Sequence, residues 1–201
     1  MIERRVKAKP VNIETRADGV RVISGYAAVF YDPTDPGTEY EMWEGCCERI
    51  APGAFNRAIA EQQDVTCLFN HDGDAMLGRT TSGTCRLSVD GVGLRYEADI
   101  PETTDAKDCA ILIQRGDVSG SSFAFSARSV NWMTEDDGEE VRVLIDVDLH
   151  DVGPVTHPAY TSTTTSARDA MASLEAERKE LAEQRKIEAD RVSVALAMKR
   201  G

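Results

Sequence analysis

The dipeptide Asp90-Gly91 stands between two extended runs, 83–89 and 92–100. Asp-Gly suits the left-handed backbone of a two-residue hairpin turn, so these runs are expected to pair as antiparallel neighbours. The same punctuation recurs along the chain. Residues 20–31 read as a strand with Gly25 at a bend or bulge, 32–38 as a Pro- and Gly-containing loop, and 39–50 as a second extended stretch. A short apolar strand at 64–69 runs into the polar loop Asn70-His71-Asp72-Gly73-Asp74. Two long strands, 118–131 and 140–152, flank a polar tip at 134–139, and Gly153-Pro154 is expected to break the second. Residues 155–165 continue as an extended Pro- and Thr-rich segment. Helical patterns interrupt the strands twice. Pro52-Gly53-Ala54-Phe55 opens one to residue 63, with Phe55 and Ile59 on one face, and a second covers 104–114, with Gly116 placed to cap its end. Many strands with interspersed helices predict an α+β domain, an antiparallel β-barrel with peripheral helices.

The pattern changes at Arg168. Leu174, Leu181, Glu188 and Ala195 recur every seven residues among Glu, Lys and Arg, which predicts a solvated C-terminal helix. The expected division is therefore a domain at 1–167 and a helical appendage at 168–201. Residues 169–201 hold seven acidic and seven basic side chains, so the net charge of −12 belongs to the rest of the chain. An acidic body argues against nucleic-acid binding, which needs a basic surface. No apolar run is long enough for a membrane span, and no apolar stretch follows the charged residues 1–7, so neither a membrane anchor nor a secretory signal is expected. That points to the cytoplasm. The five cysteines, without C-x-x-C spacing, are expected to be reduced, mostly buried thiols.

Three histidines limit the possible chemistry: His71, His150 and His157. His71 lies where an apolar strand enters a polar loop, rigid enough to aim an imidazole and open enough to meet a substrate. In Ser119-Gly120-Ser121-Ser122-Phe123-Ala124-Phe125, alternation puts Ser122 on a small-residue face and the phenylalanines on a bulky one. Ser122 is thus a candidate nucleophile, with Ser119 and Ser121 in competition. Acyl transfer by serine also needs a base within hydrogen-bond reach and a third group to orient that base. Asp151, His150 and His157 are the candidates for the third group. Cys67 shares a strand face with His71 but would lie about 13 Å away, too far for a nucleophile and its base. A three-histidine zinc site is a rival reading, weakened by the lack of H-x-x-x-H spacing.

Several segments, in this order, resemble the prohead maturation protease family of tailed bacteriophages. They are Gly25-Tyr26-Ala27-Ala28-Val29-Phe30, Glu48-Arg49-Ile50-Ala51-Pro52-Gly53-Ala54-Phe55, Phe69-Asn70-His71-Asp72 with Leu77-Gly78-Arg79, and Asp90-Gly91-Val92-Gly93-Leu94. Gly116-Asp117-Val118 with Ser121-Ser122-Phe123-Ala124-Phe125, and Asp151-Val152-Gly153-Pro154-Val155-Thr156-His157-Pro158-Ala159-Tyr160, complete the series. The resemblance implies a barrel related to the herpesvirus assembly proteases, a base at His71, a nucleophile at Ser122 and a third member at Asp151. The herpesvirus relatives use histidine as third member, which keeps His150 and His157 as alternates. Ala124 stands where the family commonly has Gly, and Ser121 where it commonly has Met; the second departure keeps Ser121 as an alternate nucleophile. The implied activity is a serine endopeptidase, without cofactor or metal, acting inside the assembling prohead in the host cytoplasm. Its implied partners are the scaffold region of the major capsid protein and the protease itself, by self-cleavage and in a possible homo-oligomer. The rival is a non-enzymatic capsid-assembly or scaffolding protein that keeps the fold.

Overall fold

In the computed structural model, which describes residues 2–7, 10–156 and 165–198, the extended runs become strands of two sheets. In chain order they are β1 (Glu3–Lys7), β2 (Asn12–Thr15), β3 (Arg21–Val29), β4 (Tyr40–Trp43), β5 (Cys46–Ile50), β6 (Thr66–Leu68), β7 (Met76–Arg79), β8 (Cys85–Val89), β9 (Gly93–Asp99), β10 (Gly120–Thr134) and β11 (Glu140–Val155). The helices are α1 (Asn56–Ala60), α2 (Thr104–Arg115) and α3 (Thr165–Met198). Two compact units result, Met1–Tyr160 and Thr161–Gly201. The second contains α3, which starts before the expected Arg168.

Local chemistry sets most of these boundaries. Asp90 closes the β8–β9 hairpin by accepting from the backbone N–H of Val92 at 2.8 Å and of Gly93 at 3.1 Å. Thr103 caps α2 by accepting from the Ala106 N–H, and Gly116 ends it in the left-handed region at φ 83°. Residues 39–50 are not one strand, because a turn at Gly45 (φ 78°) folds them into the β4–β5 hairpin. The first helix is also shorter than expected. Turns occupy the chain on both sides of α1.

The expected antiparallel barrel is corrected to a mixed α+β fold without a closed ring of strands among the described residues. One sheet runs β1-β10-β11-β5-β4, with β6 on β11 and β7 on β6; the other runs β2-β3-β9-β8. Two ladders are parallel. After β5 the chain passes through α1 and returns to the same edge of β11, so β5 and β6 both lie parallel to that strand, at its start and near its end. The two sheets meet by side-chain packing and not through a ladder. Gly25 shows why the approach is close: a Cβ there would lie 2.8 Å from Ser121 Oγ and 3.2 Å from the Tyr96 hydroxyl. Gly25 is therefore a contact point within regular pairing to Tyr96, and the irregularity of β3 falls between Tyr26 and Ala28.

Gly153-Pro154 does not break β11 either. The strand continues to Val155, with Gly153 opposite Ser122 on β10. On its other side, a Cβ at Gly153 would lie 2.0 Å from the Leu68 carbonyl oxygen, so only glycine lets β6 come this near. The core between the layers is aromatic. Phe123 stacks on Phe125 with centroids 4.8 Å apart and meets Phe55 edge-on at 5.8 Å. A buried ionic quartet, Glu3, Arg5, Glu48 and Arg142, ties β1, β5 and β11 together.

Candidate active site

The strand pairing brings three expected residues together. Ser122 lies on β10 opposite Gly153, and Asp151 lies on β11 opposite Ala124, so the two side chains belong to neighbouring strands. His71 reaches them from the turn between β6 and β7. Its Nδ1 is 2.5 Å from Asp151 Oδ1, and its Nε2 is 2.6 Å from Ser122 Oγ. A carboxylate accepting from Nδ1–H leaves Nε2 free to receive a hydroxyl proton, and it stabilises the imidazolium that forms. The series carboxylate, imidazole, hydroxyl is thus wired for general-base activation of an alcohol.

The turn that carries His71 is unusual. Asn70 and His71 sit at φ 56° and 58°, consecutive left-handed residues without a glycine. Asparagine tolerates this region; histidine does so less often. Asn70 donates its N–H to the Pro154 carbonyl at 3.0 Å, and its Oδ1 accepts from the Thr156 N–H at 2.9 Å and from the Thr156 hydroxyl at 3.2 Å. Sequence reading passed over Asn70 and Thr156. The available signal was an asparagine immediately before a loop histidine, a residue suited to a left-handed turn.

Ser122 departs from expectation in its surroundings. It is fully buried, and its hydroxyl also lies 2.8 Å from the Arg5 carbonyl oxygen on β1. The small-residue face of β10 is therefore covered. Sequence reading missed β1 altogether, because five mostly polar and charged residues near the chain start carry no apolar alternation.

The competing side chains have other partners. Ser121 is fully buried and hydrogen-bonds to the Tyr96 hydroxyl at 3.0 Å. Burial pushes the Tyr96 phenol well above its ordinary value, so it stays neutral and offers no base to Ser121. His150 is the unpaired residue of a bulge in β11, between Asp151 opposite Ala124 and Leu149 opposite Phe125, and it bonds through Nε2 to Ser126 Oγ at 2.8 Å. His157 lies outside the described residues. Ser119 sits just before β10. Cys67 is completely buried, and a hydrogen bond to Cys85, followed by burial, pushes its thiol well above the ordinary value. That thiol is inert at neutral pH. His71 and His150 do not share a partner, and among the described residues no group of three or more His, Cys, Asp or Glu side chains could hold a metal ion.

The profile of the caudovirus prohead serine protease family matches residues 8–177 of this sequence. The chain belongs to that family. Membership in the prohead serine proteases carries a protease role. No curated protein matches the chain. Among solved structures it is similar to the bacteriophage T4 capsid assembly protease, at 12% identity and a TM-score of 0.48, over 79% of this chain and 98% of that one. No helix among the described residues is long and apolar enough to cross a membrane.

Proposed function

We propose that this prohead protease is a serine endopeptidase in which Ser122 is the nucleophile, His71 the general base and Asp151 the residue that orients His71. The observation that carries the reading is the imidazole of His71, within hydrogen-bond distance of Asp151 on one nitrogen and of Ser122 on the other. In the first step Ser122 Oγ adds to the carbonyl carbon of a peptide bond as its proton passes to His71 Nε2. The C–N bond then breaks, and the leaving amine takes that proton. Water, deprotonated by the same nitrogen, releases the acyl group. The substrates are the scaffold region of the major capsid protein and the protease itself, cut inside the assembling prohead. Removing scaffold there frees volume before DNA enters. The acidic body of the chain supports this placement, since it keeps the enzyme from adhering to nucleic acid.

One observation favours a second reading, a non-enzymatic assembly protein that keeps the fold: the buried Ser122 hydroxyl lies against the Arg5 carbonyl. Two measurements separate the readings. Intact mass of the purified chain, beside Ser122→Ala, reports self-cleavage, and a fluorophosphonate probe reports whether Ser122 reacts. Labelling at Ser122 and fragments seen only with the wild type are the expected results. An unlabelled, uncleaved wild type that also leaves co-expressed capsid protein intact would favour the assembly reading.

A further inference from the structure

We infer that Asn70 is a positioning residue: its side-chain carbonyl clamps the β6–β7 turn to the end of β11 and thereby aims the His71 imidazole between Asp151 and Ser122. The inference rests on the roles proposed above for those three residues. The turn must reverse the chain within a few residues, since the Phe69 N–H already bonds to the Ala75 carbonyl and the Asp72 N–H to the Phe69 carbonyl. Two successive left-handed residues make that reversal, and neither is glycine. Such a conformation is costly and persists only where the surroundings over-determine it. Here the surroundings are the end of β11 and the residue that follows it. The Pro154 carbonyl takes the Asn70 N–H, and the Thr156 N–H and hydroxyl both point at Asn70 Oδ1. Two residues before Asn70, Leu68 is seated against Gly153.

The position of these contacts matters more than their number. Asn70 is bonded covalently to His71, and its partners are Pro154, on the strand that also carries Asp151, and Thr156, the residue directly after that strand. The clamp therefore fixes the base relative to the carboxylate that orients it, through a path of only a few bonds. Without Oδ1 the turn keeps its Pro154 contact but can pivot about it. An imidazole held to two partners at 2.5 and 2.6 Å has little room for such a pivot. A misplacement of about 1 Å in a reacting group can lower the rate by about 100-fold.

Asn70→Gly separates aiming from folding. Glycine takes the left-handed region more readily than asparagine and keeps the backbone N–H, so a turn that needs only its backbone is unharmed or stabilised. Asn70→Asp keeps an acceptor at the same position. Two readouts apply to the full chain. The first is peptide cleavage, as kcat and KM. The second is proton–nitrogen NMR of the histidine rings, with the far-downfield Nδ1–H of His71 assigned by its loss in His71→Ala. For Asn70→Gly we expect an intact cooperative melt, kcat lower by about 10- to 100-fold, KM little changed, and loss or exchange broadening of the His71 Nδ1–H signal. For Asn70→Asp, most of the kcat and the signal should return. An Asn70→Gly protein with wild-type kcat and an unchanged Nδ1–H resonance would overturn the proposal, as would Asn70→Asp failing as badly as Asn70→Gly. If the wild type shows no peptidase activity at all, the proposed enzyme function fails, and the ring resonance alone still decides whether Asn70 aims His71.

Discussion

At the scale of single residues, Ser121 and Ser122 are neighbours of the same type, and the faces of β10 separate them. Ser122 meets an imidazole, whereas Ser121 meets a neutral phenol. Ser122→Ala should abolish self-cleavage and keep a cooperative melt, at a cost of about 1 kcal/mol for the lost Arg5 hydrogen bond. Ser121→Ala should retain cleavage and lose about 1 kcal/mol for the missing Tyr96 hydrogen bond. His71→Ala should lower peptide cleavage by about 10³-fold or more. Rates on a capsid-derived peptide, with thermal melts of each variant, check all three; retained cleavage in Ser122→Ala with a dead Ser121→Ala would move the nucleophile by one position. The triad candidates were legible in the sequence as residue types at turn and strand positions. The choice of Asp151 over His150 came from the resemblance alone, because residue types do not show the bulge at His150 or the register that sets Asp151 opposite Ala124, two residues from Ser122.

Between elements, the ties on β11 are the ones to test. Gly153→Ala places a Cβ against the Leu68 carbonyl, backbone against side chain, with no flexible group to yield. Detaching β6 from β11 should destabilise the domain by about 3 kcal/mol or more, seen in urea unfolding, and should lower cleavage because β6 leads into the His71 turn. The ionic quartet offers a second test. Arg142 and Glu48 are fully buried, and Arg142 bonds Glu48 at 2.5 Å and Glu3 at 2.8 Å. Arg142→Met would leave two buried carboxylates to Arg5 alone, an expected loss of about 3–5 kcal/mol. On the surface, Arg57 of α1 holds Asp148 of β11 and lowers its carboxyl to about 2. The folded value is depressed, so this tie contributes fully above the unfolded value of about 3.9 and disappears as pH falls through about 2. A carboxyl NMR titration of Asp148 with and without Arg57→Ala should show the midpoint rise in the variant.

For the whole molecule, the charge division at residue 168 and the two compact units suggest a separable C-terminal helix. A chain ending at Arg168 is expected to keep its cooperative melt and its cleavage of a short peptide, and to fail to enter proheads on co-expression. Circular dichroism, peptide assay and prohead co-purification measure the three. Loss of the melt on truncation would make the helix part of the folded core. The family match extends to residue 177, nine residues beyond that truncation point, so a second chain ending at 177 brackets the boundary.

What local chemistry determines was readable from the sequence alone: the hairpin at Asp90-Gly91, the Gly116 cap of α2 and the two long late strands follow from the preferences of a few neighbouring residues, and the structure adds the Thr103 cap. The tertiary structure decided what lies far apart in the chain. His71 meets Ser122 across 51 positions and Asp151 across 80. Closure failed for the same reason. A barrel and a pair of packed sheets can be built from the same strands, and the route of the chain through α1 made β5 and β6 parallel partners of β11. The nearly invisible β1 became the strand that covers Ser122, held by buried charges whose partners lie on β5 and β11. Pairing and burial are properties of the folded whole, because each depends on which distant segment occupies the neighbouring space, and no window of adjacent residues contains that information.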